Sequence, residues 1–154
     1  MRYVLALLAV AGIVVSSLAF QVHYSNKVEP CDINSRWDCG VVNHSSFSTV
    51  SGLWWHLRDS LHPGRLVGPA PRTGLPVAAL GIAGYAAIAL LALFRRRGWV
   101  LFFSLCALAF ALYLSNVEAH VLEVWCLYCV ISQCLIALIM LLSIFWLFLR
   151  PRRA

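Results

Sequence analysis

The chain has 154 residues, of which 62% are hydrophobic, and a formal net charge of +6 at neutral pH. Its mean hydropathy of +0.83 lies far above that of soluble globular domains, and its length excludes a second sizeable domain. The sequence therefore predicts one small integral membrane domain over residues 1–154. Membrane topology accounts for the positive charge, so a nucleic-acid partner is not expected.

Four apolar stretches are long enough to cross a hydrocarbon core, which takes about 20 helical residues. They are residues 3–22, 75–94, 99–117 and 124–149. The sequence thus predicts an all-α membrane protein, a bundle of four transmembrane helices. The long segment 23–74 between the first two helices is predicted to be an external loop that forms a cap.

The first stretch has a second interpretation as a cleaved signal peptide, because Ser17-Leu18-Ala19 is a small-x-small site. Its apolar run is longer than the roughly 7–15 residues of a usual signal sequence, which favours a retained first helix. The charge pattern is compatible with both interpretations.

Basic residues cluster at the predicted helix ends that share one side of a four-span arrangement. They are Arg2, Arg95, Arg96, Arg97, Arg150, Arg152 and Arg153. The positive-inside rule makes that side cytoplasmic, so both termini are predicted to be cytoplasmic. The loop would then be periplasmic, with the protein in the inner membrane of a bacterium, or lumenal otherwise, where cysteines meet an oxidising compartment.

The external loop contains Cys31 and Cys39, eight positions apart. Two cysteines at this spacing can close a small disulfide ring, and a structural staple is the common role of such a pair. A four-thiolate zinc site shared with a second cysteine pair is an alternative. The Cys-x7-Cys spacing and the oxidising side both disfavour it.

The second half of the loop combines an amphipathic segment with a connector. Adjacent tryptophans and leucines at helical spacing in residues 53–58 predict a short interfacial helix, either a lid or a surface anchor. The connector back to the membrane is rich in turn residues. These are Pro63, Gly64, Gly68, Pro69, Pro71 and Gly74.

Two sets of residues in the later spans are interpreted as contributing to helix packing. Gly81 and Gly84 are small residues that allow helices to approach closely. Cys106 and Cys134 are interpreted as buried small hydrophobes.

The last span opens with Cys126 and Cys129 in a Cys-x-x-Cys motif. At a helix N-terminus the free N–H groups and the dipole favour a thiolate, which suits disulfide exchange. Exchange needs one reachable sulfur and one that resolves the bond. The first cysteine of such a motif on a helix is the more exposed one, so Cys126 is predicted to be the entry point, and Cys129, one turn deeper, to meet a lipid-soluble acceptor.

Three ionisable residues before this motif are candidates for a proton donor: Glu118, His120 and Glu123. A solvated turn is the simpler interpretation of each.

The order of these motifs resembles the vitamin K epoxide reductase family, in particular its bacterial disulfide-forming homologues that lack a fused thioredoxin-like domain. The resemblance rests on Cys31, Cys39 and Ser45 in the first external loop and on Cys126 and Cys129 at the last helix. It covers nearly the whole chain. It implies a four-helix bundle that encloses a quinone near its outer end.

The resemblance implies an electron path through four catalytic cysteines. Cys31 and Cys39 would oxidise a soluble thioredoxin-fold (DsbA-like) thiol oxidase, expected in trans because the chain stops at Ala154. Cys39 would exchange with Cys126, and Cys129 would reduce a membrane quinone of the ubiquinone, menaquinone or vitamin K type. No metal is implied.

The quinone contacts implied by the resemblance depart partly from the family pattern. The predicted contacts are Ser45, Tyr85, Cys129 and Gln133. The family's Asn-x-x-x-Gly-x-x-x-Tyr pattern is met by Gly81 and Tyr85 but has Val77 first, and Gln133 replaces a tyrosine of the vertebrate enzymes. The departures weigh against vitamin K epoxide activity more than against quinone reduction, and reduction of vitamin K or its epoxide remains one alternative. The other is a non-catalytic membrane protein whose cysteines are staples or metal ligands.

Overall fold

The computed structural model describes residues 1–25, 31–61, 70 and 73–148. Within these ranges the protein is helical and has no β-strand, which confirms the predicted all-α class. The helices are α1 (Arg2–Tyr24), α2 (Cys39–Asn43), α3 (Val50–Leu61), α4 (Val77–Leu93), α5 (Arg97–Val117) and α6 (Leu127–Phe148). A 3-10 turn, Ser46–Ser48, precedes α3, and a π-helical turn, Glu118–Leu122, extends α5.

Some predicted features lie outside the described residues. They are the connector positions Pro63, Gly64, Gly68, Pro69 and Pro71, and the arginines Arg150, Arg152 and Arg153.

Three helical segments are long and apolar enough to cross a membrane: α1, the continuous segment Arg97–Leu122, and α6. Helix α4 is also apolar, but its 17 residues span only about 25 Å, at the lower limit for a crossing. The protein is therefore a multi-pass membrane protein. That α4 forms a fourth span stays a prediction.

The observed boundaries differ from the predicted ones where the backbone has other partners. Helix α4 begins at Val77 because Pro76 precedes it in an extended conformation. Helix α6 begins at Leu127 rather than near residue 124. Glu123 has a left-handed backbone (φ 54°), and the Trp125 backbone bonds to the loop, so neither can join a helix.

Helices α1, α4, α5 and α6 form the bundle, in which α1 packs on α4 and α6, and α5 on α6 and α4. The core at one end is apolar and closes around Leu5, Ile88 and Ile139. The tight α4–α5 connection at the same end contains Arg95 in a left-handed conformation (φ 57°). Arg97 lies 4.9 Å from the centre of the Trp146 ring, a cation–π contact.

The outer surface of the bundle is apolar, as expected for helices in lipid. Leu7, Phe102 and Leu141 point outward. Cys106 and Cys134 are also exposed, so the prediction that they are buried is wrong. In a bilayer both the interior and the exterior of a bundle accept apolar side chains, and hydrophobicity alone does not separate them.

The loop returns to the bundle through α3 and a short backbone bridge. The N–H of Val50 donates to the carbonyl oxygen of Leu75 at 3.0 Å, just before α4. The helix predicted over residues 53–58 is present as part of α3, and its Trp54 side chain is exposed. That it forms a cap, a lid or an interfacial anchor stays a prediction.

Helices α1 and α4 approach closely at small residues. The Tyr85 ring of α4 lies directly over Gly12 of α1, and Gly81 of α4 faces Ser16 of α1. Gly84 is different, because a Cβ added there would have no described atom within 4 Å. Of the two glycines predicted to mediate packing, Gly81 contacts α1 and Gly84 faces open space.

We expect Gly12→Ala to destabilise the protein by about 1–3 kcal/mol, the usual cost of overpacking, because the added methyl group overlaps the Tyr85 ring. Thermal unfolding in detergent should show a lower Tm. Gly98→Ala is the matched control, since Gly98 is also helical and has open space around it. Equal Tm values for the two variants would contradict the close α1–α4 approach.

Candidate functional site

Two aspartates build the turn that presents Cys39. The Asp32 side chain accepts hydrogen bonds from the N–H groups of Cys39 (2.8 Å) and Gly40 (3.2 Å). Asp38 caps α2 by accepting from the N–H of Val41 at 2.8 Å. These bonds satisfy the free N–H groups of the first helical turn and fix Cys39 as the first residue of α2.

Cys31 and Cys39 form a disulfide, with their Cα atoms 5.9 Å apart. The small ring predicted from their spacing is thus present. Both residues are almost fully buried. Each sulfur is bonded to the other, so although Asp32 lies beside them, the pair offers no thiolate to a metal in this state.

The loop is joined to the residue before the Cys-x-x-Cys motif by backbone hydrogen bonds. The N–H of Asp38 donates to the Trp125 carbonyl at 3.1 Å, and the N–H of Trp125 donates to the Arg36 carbonyl at 2.9 Å. The rings of Trp37 and Trp125 lie 6.4 Å apart. Sequence reasoning missed this bridge, for which no sequence signal exists beyond the two tryptophans.

Cys126 lies in the buried cluster that also contains Cys31 and Cys39. Its side chain has no solvent exposure. Asn43 connects the two elements. Its amide nitrogen donates to the Cys39 carbonyl at 2.9 Å and lies 3.6 Å from the Cys126 sulfur. The prediction that Cys126 is the more exposed cysteine of its motif is wrong, since the loop covers it.

Cys126 precedes α6 and is a free thiol. A hydrogen bond from the Cys129 thiol lowers the pKa of Cys126 below its ordinary value, against the opposing effect of burial. A thiolate is the nucleophile in disulfide exchange. Cys126 is therefore the more readily ionised sulfur of the pair and lies beside the loop disulfide.

Cys129 lines a cavity of about 310 Å³ at the end of the bundle away from the α4–α5 connection. Its walls are mostly apolar and come from α1, α4, α5, α6 and the loop. Polar side chains that reach it include Asn43, Ser45 and Tyr85. A cavity of this size and character is typical of a site for a small apolar molecule that a few polar groups orient.

The predicted quinone contacts are placed differently from one another. Ser45 lines the cavity, and its hydroxyl donates to the Val42 carbonyl at 2.7 Å. Tyr85 lines it as well and donates to the Ser132 carbonyl at 2.7 Å. Gln133 is outside the lining and accepts a hydrogen bond from Ser115 of α5. The ligand roles of all three stay predictions.

Glu118 is buried, with only 2% of its surface exposed, so its interpretation as part of a solvated turn is wrong. The π-helical turn directs its carboxyl group inward, where it accepts the N–H of Cys126 at 3.1 Å. His120 and Glu123 are exposed, as expected. Helical spacing did not indicate the difference, because a π turn changes the direction of each side chain.

Comparison with known protein families gives one match. The model of the vitamin K epoxide reductase family matches residues 3–144. The comparison with curated proteins gives no match.

The loop disulfide should become easier to reduce when the neighbouring charge is removed. Asp32→Asn keeps the acceptor for the N–H of Cys39 but loses a carboxylate whose oxygen lies within 4.8 Å of both sulfurs. A nearby negative charge disfavours a thiolate, so we expect the equilibrium constant for reduction by dithiothreitol to rise roughly tenfold. Thiol labelling across a dithiothreitol series measures it.

Asp59→Asn is the control for this change. Asp59 is also an acid of the loop, but its charge acts on His56 of α3. An equal shift in the two variants would show that the effect is not local to the disulfide.

Proposed function

The chain belongs to the vitamin K epoxide reductase family, and from this premise we propose that it is a quinone-dependent thiol oxidoreductase that supports disulfide-bond formation. The family consists of quinone-linked redox enzymes that work with a thiol partner. One observation carries the proposal: the loop disulfide packs in one buried cluster with Cys126, while Cys129 of the same motif lines a cavity.

Electrons would enter through the loop. A thioredoxin-fold partner, acting in trans, reduces the Cys31–Cys39 disulfide and leaves with a disulfide of its own. The Cys39 thiolate then attacks Cys126 when Cys126 is bonded to Cys129, and Cys31 resolves the mixed disulfide. The products are the re-formed loop disulfide and the Cys126/Cys129 dithiol. This is the redox state that the structure has.

The separation of the two motif cysteines supports this division of roles. Cys126 is next to the loop disulfide and has a lowered pKa, which suits exchange with another sulfur. Cys129 is the third residue of α6 and borders the cavity. A dithiol that reaches both a disulfide and an apolar cavity can pass an electron pair from one to the other.

The cavity is suited to a quinone head group, which is flat, apolar and carries two carbonyl oxygens. Hydroxyl and amide groups in its lining include Ser45, Asn43 and Tyr85. Each now donates to a backbone carbonyl and would exchange that hydrogen bond for one to a quinone oxygen. Val77 also lines the cavity and offers no donor, at the position where the family often has asparagine. No observation favours vitamin K epoxide over a quinone as the substrate.

We expect Cys39→Ala and Cys129→Ala each to abolish quinone reduction by a reduced thioredoxin-fold partner, because each removes a sulfur that the path requires. Absorbance of the quinone reports the reaction. Cys129→Ala should also trap a Cys39–Cys126 disulfide, visible on non-reducing gels, since no second thiol remains in the motif to resolve it.

Cys106→Ala and Cys134→Ala are the matched controls, because both cysteines are free and exposed on the outside of the bundle. They should keep wild-type activity. Activity that survives in Cys39→Ala with the same partner would mean that the loop pair is a structural staple.

Filling the cavity should weaken quinone binding without affecting exchange with the partner. Gly84 lines the cavity and has open space at its Cβ position, so we expect Gly84→Leu to raise the KM for a quinone by roughly tenfold, equivalent to about 1.4 kcal/mol of binding. The control is Gly98→Leu, at an exposed helical glycine far from the motif in sequence. An unchanged KM in Gly84→Leu would place the quinone elsewhere.

A further inference from the structure

Glu118 is an unusual residue for its position. It lies at the end of α5 within the apolar segment Arg97–Leu122, is 2% exposed and borders the same cavity as Cys129. Acidic side chains are rarely this buried unless a partner compensates for the lost hydration. Its partners therefore indicate what the carboxyl group does.

One carboxyl group contacts both halves of the Cys-x-x-Cys motif. It accepts a hydrogen bond from the backbone N–H of Cys126 at 3.1 Å. The Cys129 side chain interacts with the same group, and both side chains line one cavity. The titratable side chains that act on Glu118 are thus Cys126 and Cys129, which are the groups that lose protons when the motif is oxidised.

The proposed reaction requires protons to move as well as electrons. When the dithiol becomes a disulfide, two S–H bonds break and one S–S bond forms. The quinone takes up the electron pair, and two O–H bonds form. The cavity walls are mostly apolar, so a group that can take a proton from a thiol and pass it to an oxygen has to lie within the cavity.

We propose that Glu118 is a catalytic proton carrier for this step. Its carboxylate accepts the proton of the Cys129 thiol as the sulfur gives up its electron pair. The resulting carboxylic acid then donates that proton to an oxygen of the acceptor in the cavity and returns to the carboxylate form. The carboxylate carries the proton lost by Cys126 to the second oxygen in the same way, so that one dithiol and one quinone give one disulfide and one quinol. This inference rests on the proposed function and adds Glu118 to its catalytic residues.

A purely structural role makes a different prediction. If Glu118 only holds the π-helical turn through the N–H of Cys126, glutamine should replace it, because the amide oxygen accepts the same hydrogen bond. Glutamine cannot carry a proton as an acid. Aspartate keeps the carboxyl group on a shorter side chain, so Glu118→Asp should retain part of the rate of quinone reduction that Glu118→Gln loses.

The test uses full-length protein whose cysteine pairs have been reduced, mixed with menadione in a single turnover. We expect Glu118→Gln to slow quinone reduction by about 10²–10³-fold, the range for loss of general acid–base catalysis, and to change the pH profile of the rate. Glu118→Asp should recover part of it. Exchange between the partner and the loop disulfide should change by no more than about twofold, because it precedes the proton step.

Glu123→Gln is the matched control, since Glu123 is an exposed acid in the same connection. It should match the wild type in both reactions. A wild-type rate of quinone reduction in Glu118→Gln would overturn the inference, as would equal rates in Glu118→Gln and Glu118→Asp.

A second measurement separates failure of this inference from failure of the proposed function. If the wild type reduces no quinone, the proposed function fails, and Glu118 is tested without quinone. Iodoacetamide alkylation of Cys129, followed by mass spectrometry across a pH series, should shift in Glu118→Gln and not in Glu123→Gln, because the two groups share a proton. An unchanged pH dependence would overturn the proton link.

Discussion

A two-bond backbone bridge between the loop and Trp125 holds the arrangement on which the site depends. It joins residues on either side of Trp37 to the residue before Cys126. The bridge satisfies N–H and carbonyl groups at the start of α6 that would otherwise be left without partners in an apolar setting, which is costly. Because of it, the first residue of α2, Cys39, and the residue before α6, Cys126, belong to one buried cluster.

The bundle is closed at one end and open at the other for reasons of side-chain size. Near the α4–α5 connection, large apolar side chains such as Ile88 and Ile139 fill the interior. Tyr85 closes over Gly12 above them. Beyond this layer the small residues Gly84 and Ser45 leave a cavity. Cys129 reaches this space because the loop bridge delays the start of α6 until Leu127.

The few buried polar groups near the motif all have partners. Among the described residues no buried side-chain nitrogen or oxygen lacks a hydrogen bond. Asn43 connects Cys39 to Cys126, Tyr85 bonds to α6, and Glu118 bonds to the motif itself. A polar group in an apolar interior costs free energy unless it is bonded. Their placement around two cysteines fits a site that must both hold sulfur atoms in position and move protons.

The sequence by itself determined the features that depend on local composition and spacing. The apolar runs gave the all-α class, and the short Cys31–Cys39 separation gave the disulfide ring. Only the tertiary structure decided the burial of Cys126 and Glu118, the outward direction of Cys106 and the place of Gln133 against α5. Lipid and protein interior are equally apolar, so hydropathy does not distinguish the two faces of a membrane helix. Burial of Glu118 depends on a π turn and on contacts with the start of α6, which local patterns do not encode.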